Sequence, residues 1–171
     1  MVSTSGSKLL AEDALNALVT LLLPKTFILT PNIPEALVLL GPDAVIDDVA
    51  SMVDAAKALS RMGPRYVLLK GGHLPIGDKT AATVADVFYD RVNDRAEVET
   101  KAYIESKHTH GTGCSLASSL ASNLAKGLDV KEAVKEACRY VHFAIESAPG
   151  FGSGNGPISH MHSSYMTPYA P

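Results

Sequence analysis

The segment that most constrains the fold is a short apolar run without any polar residue inside it. Tyr66-Val67-Leu68-Leu69 lacks the alternation of a strand with one wet face, so it predicts a strand buried on both faces. It continues directly into the turn Lys70-Gly71-Gly72. A second buried strand is predicted at residues 26–30, before the turn at 31–35. These strands alternate with predicted helices at short loop distances, and we therefore expect a layered α/β fold.

Helical periodicity accounts for much of the remaining chain. Apolar residues recur every three or four positions in several stretches, which end at proline or glycine. Two further strands, 83–89 and 97–104, are joined by a predicted hairpin turn at Asn93-Asp94, and the second is polar enough to lie near a sheet edge. The helices predicted from periodicity cover residues 10–22, 35–40, 45–59, 117–124 and 130–145.

Composition excludes several classes of function. The 171 residues suffice for one domain, and a net charge of −3 without a basic patch argues against nucleic-acid binding. The longest aliphatic run, Leu21 to Leu23, is closed by Pro24, which is also expected to end the first helix, and is too short to span a membrane. Two cysteines without framework spacing, and an N-terminus without a signal-peptide pattern, favour a reducing compartment. We therefore expect a cytoplasmic location and no nucleic-acid or membrane partner.

Gly111-Thr112-Gly113-Cys114 is a tight turn that leads into a helix. Free backbone N–H groups and the helix dipole attract anions at such an N-terminus, and they favour the thiolate form of a cysteine placed there. The turn can equally serve only to start the helix, with Cys114 as a small packing residue, because a short Gly-x-Gly pattern is weakly specific. Cys138, on the apolar side of the last predicted helix, is expected to be inert core.

Polar residues follow each of the two buried strands. Lys70 either contacts phosphate oxygens as a compact cation or extends into solvent. Asn32 and Glu35 can hold Mg²⁺ directly or through waters, or they can cap a helix as an Asn-x-x-Glu box. Because sites in layered α/β sheets gather at the carboxyl ends of strands, we expect Asn32, Lys70 and the turn at 111–113 on one side.

Two histidine pairs have the spacing of metal ligands, His108-x-His110 and His160-x-His162. Neither pair has a third ligand at a familiar distance, so no zinc site is predicted. His142 is interpreted as a partly buried residue of the last helix.

Four motifs occur in order along the chain, at residues 30–36 (TPNIPEA), 67–73 (VLLKGGH), 110–114 (HGTGC) and 154–160 (GNGPISH). Together they resemble the hydroxymethylpyrimidine/phosphomethylpyrimidine kinases of thiamine biosynthesis, which belong to the ribokinase-like superfamily. The resemblance extends from about Val2 to His160. The related pyridoxal kinases share the architecture, but a cysteine rather than an aspartate after Gly-Thr-Gly resembles the pyrimidine branch.

The resemblance implies a ribokinase-like layered sheet flanked by helices. It implies ATP-dependent phosphorylation of hydroxymethylpyrimidine, followed by a second phosphorylation to the diphosphate. Cys114 would remove the proton of the attacking hydroxyl, while the amides from Gly111 to Cys114 would surround the transferred phosphoryl group. Lys70 would bind the ATP phosphates, with Asn32 and Glu35 on the side of the nucleotide and Mg²⁺. Such electrostatic positioning suits phosphoryl transfer.

The N-terminus departs from the family pattern. Residues 1–6 resemble an internal segment of the family, so we expect the family's N-terminal part, with most of the pyrimidine pocket, to be lacking. Residues 1–160 are then the C-terminal part of an incomplete kinase domain, followed by a polar, disordered tail at 161–171. Besides the small-molecule pyrimidine, the expected partner is a complementing N-terminal segment or a second copy in a homo-oligomer.

Two alternatives are kept beside the pyrimidine kinase. The shortened start is compatible with a catalytically inactive relative that binds nucleotide or a partner protein. The shared architecture is compatible with a pyridoxal-type kinase of vitamin B6.

Overall fold

A computed structural model of the chain describes residues 11–72 and 83–161, and the chain divides into two compact units, Met1–Tyr103 and Ile104–Pro171. The first unit carries a four-stranded sheet in the order β1-β2-β3-β4. β1 is parallel to β2, whereas β2, β3 and β4 are successively antiparallel. The strands are β1 (Ile28–Leu29), β2 (Tyr66–Lys70), β3 (Thr83–Asp90) and β4 (Arg95–Ala102). The predicted helix start at Leu10 and the predicted tail from residue 162 onward lie outside the described residues.

Helices cover one face of this sheet. α2 (Ile33–Leu40) and α3 (Val49–Ser60) pack against β2, and α3 also packs against β3. Alternate strand residues face these helices because successive side chains of a strand point to opposite faces. The sheet residues that enter this apolar core are Val67, Leu69, Val87 and Tyr89.

The opposite face of the sheet carries aromatic and charged residues. The ring of Tyr66 stacks on Phe88 with 5.7 Å between centroids, and it meets Phe27 edge-on at 5.2 Å. Lys70 lies opposite Asp86 in the last pair of the β2–β3 ladder, so both residues belong to this face. Charged residues therefore occupy the end of the face at which the chain leaves β2.

The second unit is helical in its described part. α4 (Thr112–Ala125) packs against α5 (Val130–Glu146), and Gly127, with a φ of 89°, provides the left-handed residue that ends α4. Asp129 caps α5, because its carboxylate accepts the N–H of Glu132 at 3.0 Å. Over the described residues, none of the helices has the length and apolar character needed to cross a membrane.

The strand predicted at 26–30 is shorter than expected. It forms only at Ile28–Leu29, and it is half-buried rather than fully buried, because β1 lies at the edge of the described sheet and Phe27 beside it is 46% exposed. The first helix also differs from its prediction. α1 (Glu12–Ala17) continues as a π turn, and then as a 3₁₀ turn through Pro24 to Lys25, since proline is tolerated in the first turn of a helical segment.

Two predicted helices start at other residues in the structure. α3 begins at Val49 instead of Val45, because the carboxylate of Asp48 accepts the N–H of Ser51 at 2.7 Å and so caps the helix there. Val45 is consequently left outside the helix and is 70% exposed. α2 begins two residues earlier than predicted, at Ile33, where the structure contains a capping box.

The helix predicted at 117–124 begins earlier in the structure, because α4 starts at Thr112. Leu116 and Leu120 are its buried residues, whereas Ala117 and Ala121 are exposed. The larger leucine side chains remove more apolar area from water, and they therefore decide which side of the helix packs. On α5, Cys138 is buried and His142 is half-buried, as predicted.

A polar cluster ties the β3–β4 hairpin to α3. Asp94, whose φ of 47° belongs to the predicted hairpin turn, accepts the Lys57 ammonium at 2.8 Å and the Tyr89 hydroxyl at 2.6 Å. The hydrogen bond from Lys57, followed by that from Tyr89 and the charge of Lys57, lowers the pKa of Asp94 from its ordinary value. The charged form of this carboxyl is therefore favoured in the folded chain.

Asp94→Asn should remove one acid-dependent part of the stability. A carboxyl whose pKa is lowered by folding contributes above its unfolded pKa of about 3.9, and this contribution is lost as the pH falls through the lower folded value. The variant should unfold at lower urea than the wild type at pH 7, and the two should converge in acid. Asparagine accepts the left-handed backbone at this position. A difference that is equal at pH 7 and in acid would contradict this account.

Candidate functional site

The ends of β1 and β2 lie side by side in the first unit. The N–H of Lys70 donates to the carbonyl of Pro31 at 2.9 Å, and Asn32 forms an isolated parallel bridge with Lys70. The parallel pairing of β1 with β2 brings the two exits together. The prediction that Asn32 and Lys70 lie at neighbouring strand ends is therefore confirmed.

Asn32 and Glu35 form a complete capping box at the start of α2. The side-chain oxygen of Asn32 accepts the N–H of Glu35 at 2.8 Å, and the Glu35 carboxylate accepts the N–H of Asn32 at 3.0 Å. The capping interpretation of this pair is confirmed. The arrangement holds α2 directly beside the end of β2, so the box also fixes the position of the Glu35 carboxylate relative to Lys70. A role of the pair toward a nucleotide stays a prediction.

The ammonium of Lys70 is held at the end of the parallel pair. Its Nζ donates to the carbonyl of Thr30 at 2.7 Å, and the residue is half-buried. An ammonium has three donor hydrogens, and the carbonyl partner at one of them orients the group. The side chain is therefore a positioned cation rather than a lysine extended into bulk solvent.

Gly71 is fixed by the neighbouring strand. A Cβ atom at this position would overlap the carbonyl oxygen of Ala85, so only glycine fits the close approach of the two backbones. The N–H of Gly71 donates to the Asp86 carboxylate at 3.0 Å, and the second oxygen of Asp86 lies 2.8 Å from the Lys101 ammonium.

Asp86 and Lys101 are the residues of this region that the sequence analysis misses. Asp86 is 8% exposed, although it stands in a strand of apolar residues. A carboxylate within an otherwise largely apolar predicted strand is the signal that could have revealed it, because buried charges are normally paired.

The glycine turn of the second unit opens α4. Gly111 is the N-cap residue, with a φ of 90°, and no side chain caps the helix. The N–H of Ser115 donates to the Gly111 carbonyl at 2.9 Å, and that of Thr112 donates to Thr109 at 3.3 Å. Within the described part of the chain, the N–H groups of Gly113 and Cys114 have no protein acceptor. Such groups form a site for an anion.

Cys114 lies in the first turn of α4 with an exposed, free thiol. Neither a disulfide nor burial restricts it, in contrast to the buried Cys138. Cys114 is therefore not part of the core formed by the described residues, because a core side chain is removed from solvent. The arrangement places an exposed cysteine sulfur on the same helical turn as two amide donors that have no acceptor among the described residues.

The 154–160 motif pairs with the backbone just before this turn. His110 pairs with Pro157 as a parallel bridge, in which its N–H donates to Gly156 at 3.2 Å and its carbonyl accepts the N–H of Ile158 at 3.4 Å. Gly156 is buried against the His108 ring, and a Cβ atom there would overlap His108 Nδ1. The start of α4 is thus attached through His110 to a buried segment.

The structure defines the surroundings of the described histidines His108 and His160. Among the side chains that the structure describes, no group of three or more His, Cys, Asp or Glu residues is placed to hold a metal ion. His108 packs on Gly156, and His160 Nδ1 lies 3.2 Å from the Tyr140 hydroxyl. His162 lies outside the described residues.

The structure places the predicted site residues in two groups. Asn32, Glu35 and Lys70 lie in the first unit, and 111–114 lie in the second.

Comparison with known sequences identifies a family. The profile described as phosphomethylpyrimidine kinase matches residues 1–159. The chain is 42% identical over 164 residues to the hydroxymethylpyrimidine/phosphomethylpyrimidine kinase of Rhizobium meliloti, with 95% of this chain and 59% of that enzyme covered. It is 36% identical over 160 residues to the enzyme of the same name from Bacillus subtilis, with 94% and 56% covered. The chain thus spans little more than half the length of these relatives.

Solved structures give a consistent result for the fold. The ADP complex of Bacillus subtilis pyridoxal kinase superposes with a TM-score of 0.81 at 32% identity, and the match covers 92% of this chain and 58% of that one. This similarity confirms the predicted ribokinase-like α/β fold class.

Replacing Gly156 by alanine should destabilise the second unit. The new Cβ atom would overlap the His108 ring and approach the Phe151 carbonyl at 2.9 Å, which is backbone and cannot rotate away. We expect a loss of about 1–3 kcal/mol in the free energy of unfolding, measured in urea. Gly154→Ala is the matched control, because nothing lies within 4 Å of its added carbon, and its change should stay within about 0.5 kcal/mol. Equal effects of the two variants would refute the packing argument.

Proposed function

The chain belongs to the phosphomethylpyrimidine kinase family, and on this premise we propose that it carries the phosphoryl-transfer machinery for ATP-dependent phosphorylation of hydroxymethylpyrimidine and its monophosphate. The observation that carries the proposal is the exposed thiol of Cys114 on an uncapped helix N-terminus. The names of the relatives support the substrate class.

The N-terminus of α4 suits a transferring phosphoryl group. The free N–H groups of Gly113 and Cys114 point out of the first turn, where the positive end of the helix dipole adds to their attraction for an anion. Because they are held by the helix, these donors need no reorganisation when charge develops on the phosphoryl oxygens. The left-handed Gly111 lets the chain enter the helix without a side-chain cap that would compete for the same donors.

Cys114 is proposed as the general base. The sulfur accepts the proton of the pyrimidine hydroxymethyl group while the hydroxyl oxygen forms a bond to the γ-phosphorus of ATP. The bond between that phosphorus and the bridging oxygen breaks, and ADP leaves with the electron pair. The monophosphate accepts a second phosphoryl group in the same way on its phosphate oxygen, which needs no proton removal when it is ionised.

Lys70 is proposed to bind the nucleotide phosphates. Its ammonium is oriented by the Thr30 carbonyl at the end of the parallel β1–β2 pair. A positioned point charge of this kind offsets the negative charge of a triphosphate, which is the main requirement of phosphoryl transfer. The ADP bound by the similar pyridoxal kinase supports an adenine nucleotide as the donor.

Magnesium is proposed to accompany the nucleotide rather than to occupy a protein cage. Mg²⁺ keeps several waters and commonly takes one or two carboxylates beside the phosphates. Glu35 fits this requirement as the carboxylate beside Lys70, with Asn32 holding it through the capping box. Bound Mg²⁺ would neutralise phosphate charge during the transfer.

The pyrimidine pocket and the setting of the reaction are also part of the proposal. We propose that polypeptide equivalent to the unmatched part of the relatives supplies the acceptor pocket, either joined to this chain or as a separate segment or second copy. Neither Cys114 nor Cys138 forms a disulfide, which suits the proposed cytoplasmic, reducing environment.

A pyridoxal kinase is a second candidate, because the similar solved structure is a pyridoxal kinase. Phosphorylation of pyridoxal, without phosphorylation of hydroxymethylpyrimidine, would establish this candidate instead. Nucleotide binding without turnover on either substrate would establish the catalytically inactive alternative.

Cys114→Ala tests the proposal directly. ATP-dependent phosphorylation of hydroxymethylpyrimidine should be measured with the purified chain and with the chain joined to the unmatched part of the Bacillus subtilis relative. Loss of the base should lower kcat about a hundredfold or more. Cys138→Ala removes the other thiol and should retain wild-type turnover. The proposal would be contradicted if the wild type phosphorylated no pyrimidine either as the purified chain or as the joined protein.

A further inference from the structure

Asp86, the strand partner of the proposed phosphate-binding Lys70, forms an ion pair with Lys101 that is largely removed from water. We propose that Asp86 and Lys101 act as a positioning pair, which fixes the Lys70–Gly71 end of β2 for the phosphates of the nucleotide. The inference rests on the proposed function and extends it to two residues to which the proposed function assigns no role.

Strand register brings these residues to one face. Asp86 on β3 is the direct partner of Lys70 on β2 and of Glu99 on β4. Lys101 is two residues beyond Glu99 and therefore points to the same face of the sheet. Side chains on one face at such diagonal positions remain within reach when they are long. The register thus puts a second lysine next to the carboxylate that faces Lys70.

Both oxygens of Asp86 are used. Its Oδ1 accepts the N–H of Gly71 at 3.0 Å, and its Oδ2 lies 2.8 Å from the Lys101 ammonium. The side chains of Asp86 and Lys101 are only 11% and 21% exposed. A carboxylate so far removed from water is costly unless charge and hydrogen bonds compensate it, and both are present here. Lys101 therefore supplies the counter-charge next to the carboxylate that holds Gly71.

The hydrogen bond to Gly71 replaces the regular strand pairing. Lys70 and Asp86 form the last pair of the β2–β3 ladder. Gly71 passes so close to the backbone of Ala85 that no side chain fits, and its N–H turns to a side chain instead of a strand carbonyl. This bond fixes the peptide plane between Lys70 and Gly71. The orientation of this peptide sets the direction in which the backbone leaves the sheet after Lys70, and with it the position of the Lys70 ammonium.

Asp90 provides an internal comparison on the same strand. It lies four residues further along β3 on the same face, and it also accepts a backbone N–H, from Val92 at 2.8 Å. Asp90, however, stabilises the hairpin turn at the far end of the ladder from Lys70. A carboxylate with a purely structural role is therefore available as a matched control for Asp86.

The test uses steady-state kinetics in the active form of the protein, with MgATP as the varied substrate. Asp86→Ala removes the acceptor of Gly71, and Asp86→Asn keeps an oxygen acceptor without its charge. We expect Asp86→Ala to raise KM for ATP about tenfold with little change in kcat, and Asp86→Asn to raise it less. Lys101→Met should also raise KM for ATP, because it leaves the carboxylate without its counter-charge. Asp90→Asn should leave KM for ATP unchanged.

The outcomes separate the inference from the proposed function. If the wild type phosphorylates the pyrimidine but Asp86→Ala and Asp90→Asn have the same KM for ATP, the positioning role is wrong and the proposed function stands. If the wild type neither turns over nor binds MgATP in calorimetry, the proposed function fails and takes the inference with it. Urea unfolding of each variant checks folding, and Asp86→Asn keeps the test valid where Asp86→Ala is unfolded.

Discussion

Backbone pairing of β2 is the constraint on which the first unit depends. One edge of β2 pairs in parallel with β1, and the other pairs antiparallel with β3. The parallel edge brings the exit of β1, with its capping box, beside Lys70. The antiparallel edge brings Asp86 and, through β4, Lys101 to the same point. A shift of β2 by one residue would turn Lys70 toward the apolar core formed with α2 and α3.

The second unit depends on a different constraint, which is a helix that begins without a side-chain cap. Most helices satisfy their first N–H groups with Ser, Thr, Asp or Asn at the N-cap, as α2, α3 and α5 do here. α4 instead begins at a left-handed glycine and leaves donors available beside Cys114. The buried contact of Gly156 with His108 holds the preceding segment. The uncapped start thus sets α4 apart from α2, α3 and α5, and it leaves the donors that are proposed to act on phosphate.

The accuracy of the sequence predictions follows burial. β2, with its uninterrupted apolar residues, is predicted within one residue, because burial on both faces leaves a clear pattern. β1 is overestimated, since an apolar sequence indicates the tendency to form a strand but not the number of neighbours available to it. The capping boxes move the starts of α2 and α3 away from their apolar repeats. On α4, two leucines are buried, whereas two alanines with the same four-residue spacing are exposed.

The sequence by itself determined the family, the alternation of strands and helices, and the residue types of the candidate site, because motifs and periodicity are local properties of the chain. Only the tertiary structure decided that Asn32 and Glu35 cap a helix, that the Cys114 thiol is exposed, and that Asp86 and Lys101 hold Gly71. The capping box joins residues three positions apart, and it depends on whether a helix starts there. The exposure of Cys114 and the contacts of Gly71 depend on packing and on strand register between residues far apart in sequence. A single sequence contains no direct record of such pairings, whereas the folded chain establishes them through backbone hydrogen bonds and burial.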